Sequence, residues 1–502
     1  MEDRKKIRYN LVMGMTSQII TLILGIVIPK LVLSSYGSEI NGLLSSVTNI
    51  YAYIALVEAG ISAASCQALY EPLASNNRQR VNAVLSASHQ YFRRSGLIYC
   101  ALIVLFSTAY PLLIQTEIPY ITIVLVILLN GIGNVINYFF HGKYLVLLKA
   151  DGKRFVEIGL GTVTYVLKQL SKIILIALGF DVVVVQLMAM LMSFVQMICI
   201  TIYIKKHYSW IDLHATPDKQ AISQSKNVLV HEINYLITAN VDVVLLTAFS
   251  NLKNVSVYSL YHLLFSMINK LLRIVRDSFE FKIARLYHGD KDSFVRVFGM
   301  FESCYISVAF AMFSILNFFI LPFLKIYTEG ITDIEYINAL FPALFVAINL
   351  LSAGRYPSDA LIHIAGHFKL TQGSAVTESV INLFVSFLLV QRYGIAGVLL
   401  GTIVSSLYRT NYLILYVNRH ILNRNPLSTY LCWGVNFIVY LVILEINNHL
   451  VVRADSYLQI IGACIPYSAA VLVIYCCAAL ICNPGILRLL KEMIAHYRSK
   501  KI

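Results

Sequence analysis

Charge is scarce in this sequence: Asp, Glu, Lys and Arg make up only 13% of it, about half the share of an ordinary soluble domain, ~25%. That scarcity excludes a water-soluble fold, because 58% hydrophobic residues leave too little polar surface to cover the apolar remainder. Nucleotide and hydrolase signatures are missing as well, with no G-x-x-x-x-G-K-[ST] phosphate loop, no H-E-x-x-H and no G-x-S-x-G anywhere in the chain. ATP hydrolysis by this chain alone is therefore not expected, nor is any catalytic residue or cofactor. The nine cysteines (Cys66, Cys100, Cys199, Cys304, Cys432, Cys464, Cys476, Cys477, Cys482) contain no C-x-x-C pair, and they read as small hydrophobes inside apolar runs. The twelve His residues lack the convergent spacing of a metal site.

What is present is a succession of apolar runs near 10–33, 41–65, 92–114, 118–140, 156–179, 182–204, 228–250, 256–280, 297–324, 337–357, 374–391, 394–417, 429–447 and 457–481. Each is near the ~20 residues needed to cross a bilayer. The chain is thus expected to be an all-α integral membrane protein of about 14 transmembrane helices. Its basic start, Glu2 to Arg8, imitates a signal peptide, but the apolar stretch runs on to Leu33 without a small-residue cleavage site and reads as a retained first span.

The net charge of +14 does not point to nucleic acid, because the basic residues punctuate the gaps between apolar runs. Groups such as Arg78, Arg80, Arg93 and Arg94, or Lys143, Lys149, Lys153 and Arg154, fall in every second gap, leaving few outside, such as Lys253, Arg392 and Arg453. By the positive-inside rule this sets both termini in the cytoplasm and an even number of spans. The longest inner gap, 205–227 with Trp210, His214 and Pro217, is the natural midpoint. A faint repeat agrees with it: Tyr36-Gly-Ser-Glu-Ile-Asn41 and Phe249-Ser-Asn-Leu-Lys-Asn254 each precede a Ser-containing apolar helix.

Ionisable residues inside the spans are the informative ones, since each costs ~2.5–3.5 kcal/mol at a helix centre on insertion scales and turns toward protein or a watery cavity. The basic set is Lys168 and Lys172, one turn apart; Lys270 and Arg273, likewise; and Arg409. It is the candidate substrate-binding set. The acidic set is Glu58, Glu232, Asp242, Glu302 and Glu378, of which Glu58, Glu232 and Asp242 are candidates for ion coupling. Structural ion pairing is the competing reading for each. Arg276 and Arg355, nearer span ends, are expected to snorkel to the headgroups. The 32 tyrosines suit interfacial belts, with sugar stacking by Tyr261 or Tyr305 the minority reading. Pro29, Pro111, Pro322, Pro357 and Pro466 are expected to interrupt or end spans, mostly as kinks.

Three local patterns, in order, give the chain a family resemblance: Tyr36-Gly37 through Asn41-Gly42-Leu43; Glu58-Ala59-Gly60-Ile61-Ser62; and Asn240-Val-Asp242-Val-Val-Leu-Leu246 running to Val257-Tyr258-Ser259. With the order of spans, these resemble the polysaccharide transporter branch of the multidrug/oligosaccharidyl-lipid/polysaccharide (MOP) flippase superfamily, the O-antigen and capsular repeat-unit flippases. The resemblance implies two six-helix lobes around a central cavity, residues 1–215 and 216–425, with two C-terminal helices and a basic tail in 426–502. It also implies outward flipping of an undecaprenyl-pyrophosphate-linked oligosaccharide at the plasma membrane by alternating access. Membrane lipids, H⁺ or Na⁺ and a polysaccharide polymerase are the implied partners. Related lipid-precursor flippases use basic residues in helices one, two and eight for the diphosphate. Here the first two spans offer only Gln18, Asn49 and the terminal Lys30, so the contact shifts to Lys270, Arg273, Lys168 or Lys172.

A multidrug or cation antiporter of the same superfamily is the nearest alternative, and the basic spans argue against its acidic cavity. A membrane-bound glycan polymerase or transferase would need a sizeable outer loop with catalytic Arg or His, which is not evident. A structural scaffold would not need so many mid-span charges.

Overall fold

With no water in the bilayer core, a spanning backbone must satisfy its own N–H and C=O groups, which a helix does within a single segment. The computed structural model describes residues 2–58, 61–222, 236, 240–287, 291–367, 369–450 and 455–487. Among these residues there is no strand. The helices are α1 (Glu2–Ile54), α2 (Ile61–Ala74), α3 (Arg78–Leu113), α4 (Tyr120–Ile136), α5 (Gly142–Ala150), α6 (Arg154–Ala177) and α7 (Val182–His207). They continue as α8 (Asn240–Phe249), α9 (Leu252–Tyr287), α10 (Lys291–Tyr327), α11 (Leu340–Ile364), α12 (Gln372–His420), α13 (Leu427–Asn448) and α14 (Tyr457–Cys482). Nine described helices are long and apolar enough to cross a membrane, and every expected span overlaps a described helix. The protein is an all-α, multi-pass membrane fold.

Two helices carry two expected spans each. At 53 residues, a straight α1 would extend ~80 Å at 1.5 Å per residue, about twice the full thickness of a bilayer. It bends instead at Gly37 (φ 81°, ψ 179°), and α12 bends at Gly394 (φ 52°, ψ −123°). Glycine reaches positive φ without a Cβ clash. Beyond the Gly394 bend the arms of α12 fold back on each other, where Asn382 Nδ2 donates to Thr402 Oγ1 at 2.9 Å and to Ser405 Oγ at 3.3 Å. The prolines do not do this work. Pro29, Pro111, Pro322, Pro357 and Pro466 all sit inside helices, Pro111 in the last turn of α3, and neither reversal falls at one of them, because a ring fixed near φ −65° cannot supply the positive φ of a reversal.

The helices pack into two compact units, Met1–Ser256 and Val257–Ile502. In the first, Leu43, Val47, Leu69, Leu85, Val126 and Leu147 are buried together. Polar links add to this core: Tyr110 donates to Ser46 Oγ at 2.8 Å, and Ser46 and Thr247 hydroxyls lie 2.8 Å apart. The stretch after α7 is pinned to α3, with Arg78 5.3 Å from the Trp210 ring and Asn82 Nδ2 donating to the Trp210 carbonyl at 3.3 Å. The second unit is built on aromatics, with Phe265 stacked on Phe345 at 5.2 Å and Tyr261 on Phe345 at 5.8 Å. The cysteines are all free; Cys66 and Cys432 are buried as expected, whereas Cys476 and Cys477 are exposed on α14.

The two repeat segments meet within the first unit. Asn41 Nδ2 donates to Ser256 Oγ at 2.7 Å, and a Cβ on Gly42 would lie 1.8 Å from the Leu252 carbonyl oxygen. Backbone cannot yield as a side chain can, so Gly42→Ala is expected to cost at least ~3 kcal/mol. Loss of the monodisperse peak in detergent size-exclusion chromatography checks this; a variant as stable as wild type would show the helices sit further apart.

Candidate substrate and ion-coupling sites

In the second unit three helices bring arginines together. The α9 helix carries Lys270, Arg273 and Arg276, α11 carries Arg355, Tyr356 and Asp359, and α12 carries Ser374, Glu378 and Arg409. Arg355 Nη1 donates to Glu378 Oε1, and its Nε lies 3.9 Å from Asp359 one turn along α11. Arg409 Nε lies 3.7 Å from Glu378 Oε2, while its Nη1 donates to the Thr371 carbonyl at 3.1 Å and to Ser374 Oγ. The Arg276 guanidinium stands 5.6 Å from the Tyr356 ring centre, and Arg273 is close enough for its charge to act on the same phenol.

Burial decides what these pairs mean. The Glu378 side chain is 6% exposed, Arg409 11% and Arg355 16%. Removing such charges from water costs several kcal/mol each, which only close pairing and further hydrogen bonds offset. Arg355 therefore does not snorkel, contrary to its position near a span end, because Glu378 and Asp359 hold it inside. Lys270 and Arg273 differ: both are exposed on α9, and no salt bridge among the described residues engages them. Arg355 and Arg409 from α11 and α12 thus face Asp359 and Glu378, while Arg273 and Arg276 of α9 approach this group at the Tyr356 ring, with Lys270 and Arg273 exposed on α9.

The expected basic set does not form one group. Lys168 and Lys172 lie on α6 in the first unit, near enough for the charge of one to act on the other. Lys168 lines a small pocket with Asn130, Gly133, Gln186 and Ser193 from α4 and α7, and no described carboxylate pairs with either lysine. Neighbouring Gln169 is 8% exposed with its Oε1 lacking a hydrogen bond among the described residues. The polar groups beside Lys168 are the Asn130 and Gln186 amides and the Ser193 hydroxyl, set among Leu129, Ala189 and Met190.

The acidic candidates in this unit are held separately. Glu58 ends the 3-10 turn after α1 and accepts from Ser62 Oγ at 2.6 Å and from the Tyr138 hydroxyl. Tyr138 belongs to the π-helical turn Asn137–His141, its ring 4.7 Å from that of Tyr99. Such one-residue bulges are frequent at functional sites. Asp242 on α8 is 6% exposed and close enough to act on the Tyr53 phenol. Glu232 lies outside the described residues. Glu302, in the second unit, pairs with Arg424 and accepts from Thr429 Oγ1 at 3.0 Å, which makes it a helix tie.

Sequence reasoning missed three features. The Arg355 to Glu378 pair joins different helices, and the only local sign of it was the i,i+4 spacing of Arg355 and Asp359. The Tyr138 partner of Glu58 had no sign at all. Lys143, assigned to an inner loop, is 6% exposed just past the α4 span, its Nζ 3.1 Å from His89 Nδ1. Burial pulls its ammonium down to about 8. A folded value below the unfolded one means that the cost is present below pH ~8 and is relieved as pH rises toward ~10.5. Lys143→Met is expected to raise thermal stability at pH 7 and to lose that advantage by pH 10, read by unfolding in detergent at both values.

The geometry defines a polytopic helical membrane protein with buried charge clusters, and comparison of folds places it more narrowly. No family model matches the sequence, and no curated protein does. Among solved structures, the lipid II flippase MurJ in an inward closed conformation superposes with TM-score 0.69 at 14% identity, covering 96% of this chain and 100% of that one. An inward-facing multidrug resistance MATE family transporter of the MOP superfamily gives TM-score 0.65 at 13% identity over 80% of this chain and 95% of its own. An outward-facing conformation of a multidrug resistance MATE family transporter gives 0.57 at 13% identity, over 84% and 96%. The chain has the fold shared by MurJ and the MATE transporters of the MOP superfamily.

Proposed function

We propose that this protein is a flippase that carries an undecaprenyl-pyrophosphate-linked oligosaccharide repeat unit from the inner to the outer face of the plasma membrane by alternating access. The observation that carries the reading is the pair of exposed cations Lys270 and Arg273 on α9, without an ion pair among the described residues, with Arg273 close to Tyr356 of the arginine cluster. A diphosphate leaving water must exchange its hydration for fixed cations and donors, and guanidinium groups fit phosphate oxygens in a bidentate manner. The polyprenyl tail stays in lipid. Fold likeness to a lipid II flippase supports the same class of cargo.

In this reading residues 1–215 and 216–425 form lobes around a central cavity, 426–502 add two helices and a basic tail, and both termini face the cytoplasm. Lys168 and Lys172 give the first lobe a second anion contact, and Arg409, tied to Glu378, holds the arginine cluster in shape. Asp242, Glu58 and Glu232 are the coupling acids for H⁺ or Na⁺, and a polysaccharide polymerase takes the delivered unit. Deleting the gene is expected to trap lipid-linked glycan on the inner membrane face and to abolish surface polysaccharide. Normal surface glycan with altered sensitivity to cationic dyes would overturn this and indicate a multidrug antiporter.

A further inference from the structure

The C-terminal half of α12 carries an aromatic ladder that the arginine cluster does not use. Tyr408, Tyr412, Tyr416 and His420 recur every four residues and share one helix face. Successive ring centres are 6.3, 6.1 and 4.8 Å apart, and the rings of Tyr412 and Tyr416 are within 13° of parallel. The three tyrosines are half-buried and His420 is exposed. Ile414 and Val417, well around the helix from the tyrosines, are at most 1% exposed, so this stretch of α12 packs on the unit through residues other than the ladder.

Two bland readings fail on geometry. An interfacial aromatic belt occupies one headgroup layer, ~5–8 Å deep, whereas twelve residues of helix extend ~18 Å. A lipid-facing stripe is already present elsewhere on α12, in Leu400, Val404 and Leu407, which are 37–45% exposed and lie around the helix from the tyrosines at 100° per residue. The ladder is therefore a surface of flat, amphipathic rings beside charge. Its upper end adjoins Arg409, on whose guanidinium the Tyr412 phenol acts, and lower down the Tyr416 hydroxyl lies 3.1 Å from His367 Nδ1.

We propose that the Tyr408, Tyr412, Tyr416 and His420 face of α12 is a saccharide-stacking track, binding the sugars that follow the diphosphate in the cargo. This deepens the flippase reading and rests on it. A pyranose presents a face of weakly positive C–H groups, which complements the negative face of an aromatic ring. Tyrosine provides that face at low conformational cost and adds a hydroxyl for sugar oxygens. Stacking of this kind is tolerant of sugar identity. A cation cluster with rings leading away from it matches an anionic head group joined to a neutral glycan; a small cationic drug would suit the rings but be repelled by the cluster, and a lipid tail has no group for the cations.

The test compares two probes on purified full-length protein in nanodiscs: undecaprenyl pyrophosphate, and the same lipid bearing a neutral tetrasaccharide. Wild type is expected to bind the glycosylated lipid about tenfold more tightly than the bare one. Tyr408→Ala/Tyr412→Ala should erase that margin while the Kd for the bare lipid stays within about twofold, and Tyr408→Phe/Tyr412→Phe should restore the margin. Equal binding of both probes by wild type would overturn the track alone. So would an alanine variant that keeps the margin, one that loses both probes together, or a phenylalanine variant that fails to rescue. Wild type that binds neither probe would overturn the flippase reading and this inference with it.

Discussion

Lys270→Gln combined with Arg273→Gln is expected to lower the flipping rate at least about a hundredfold, since each charge-assisted contact to a phosphate contributes ~1.5–3 kcal/mol. Protein yield and thermal stability should hold, because both side chains are exposed on α9 and outside the ion pairs described for the cluster. Transport by the double variant at the wild-type rate would remove these residues from the diphosphate site. Arg273→Lys is informative beside it: charge is kept but the planar fork is lost, so partial activity indicates bidentate recognition and full activity a point charge.

Glu378→Gln is expected to act on folding before transport. The carboxylate is 6% exposed and stands between Arg355 and Arg409, and removing one partner of a buried pair costs ~3–5 kcal/mol because the other charge is left uncompensated. Arg355 would keep only Asp359, at 3.9 Å and one turn away. Thermal unfolding in detergent should show a strongly lowered midpoint. Adding Arg409→Met should recover part of it by removing the stranded cation. A single variant as stable as wild type would mean that water reaches the cluster freely.

The spans were legible because lipid imposes length and apolarity on every one of them, so α1, α3, α7, α10 and α14 stand out in the sequence alone. The bends were not. Proline attracts attention in a hydropathy reading, yet α1 and α12 turn at Gly37 and Gly394, where positive φ and no ring is required. Mid-span charges were visible as exceptions, but their partners depend on helix rotation, which a hydropathy profile does not carry. Arg355 illustrates this, since only packing of α11 on α12 reveals that Glu378 faces it. The π-helical turn that aims Tyr138 at Glu58 leaves the apolar pattern unbroken. Lys168 and Arg409 likewise look alike in sequence, and the structure separates a cation without a described ion pair from one tied to Glu378 and Ser374.

The proposed coupling acids Asp242 and Glu58 make a separate prediction. Asp242 is nearly buried on α8 and Glu58 is held by Ser62 and Tyr138. Flipping should respond to a H⁺ or Na⁺ gradient and lose that response in Asp242→Asn or Glu58→Gln. Indifference of the wild type to both gradients would exclude this role for them.

Reconstitution tests the central claim most directly. Purified protein is placed in proteoliposomes loaded with undecaprenyl-pyrophosphate-linked tetrasaccharide, and a membrane-impermeant glycosidase is added outside. The expected result is digestion of nearly all the glycan with protein present, against about half in protein-free vesicles, where only the outer leaflet is reached. Digestion that stops at the same half with protein present, while a cationic dye is moved, would contradict the account.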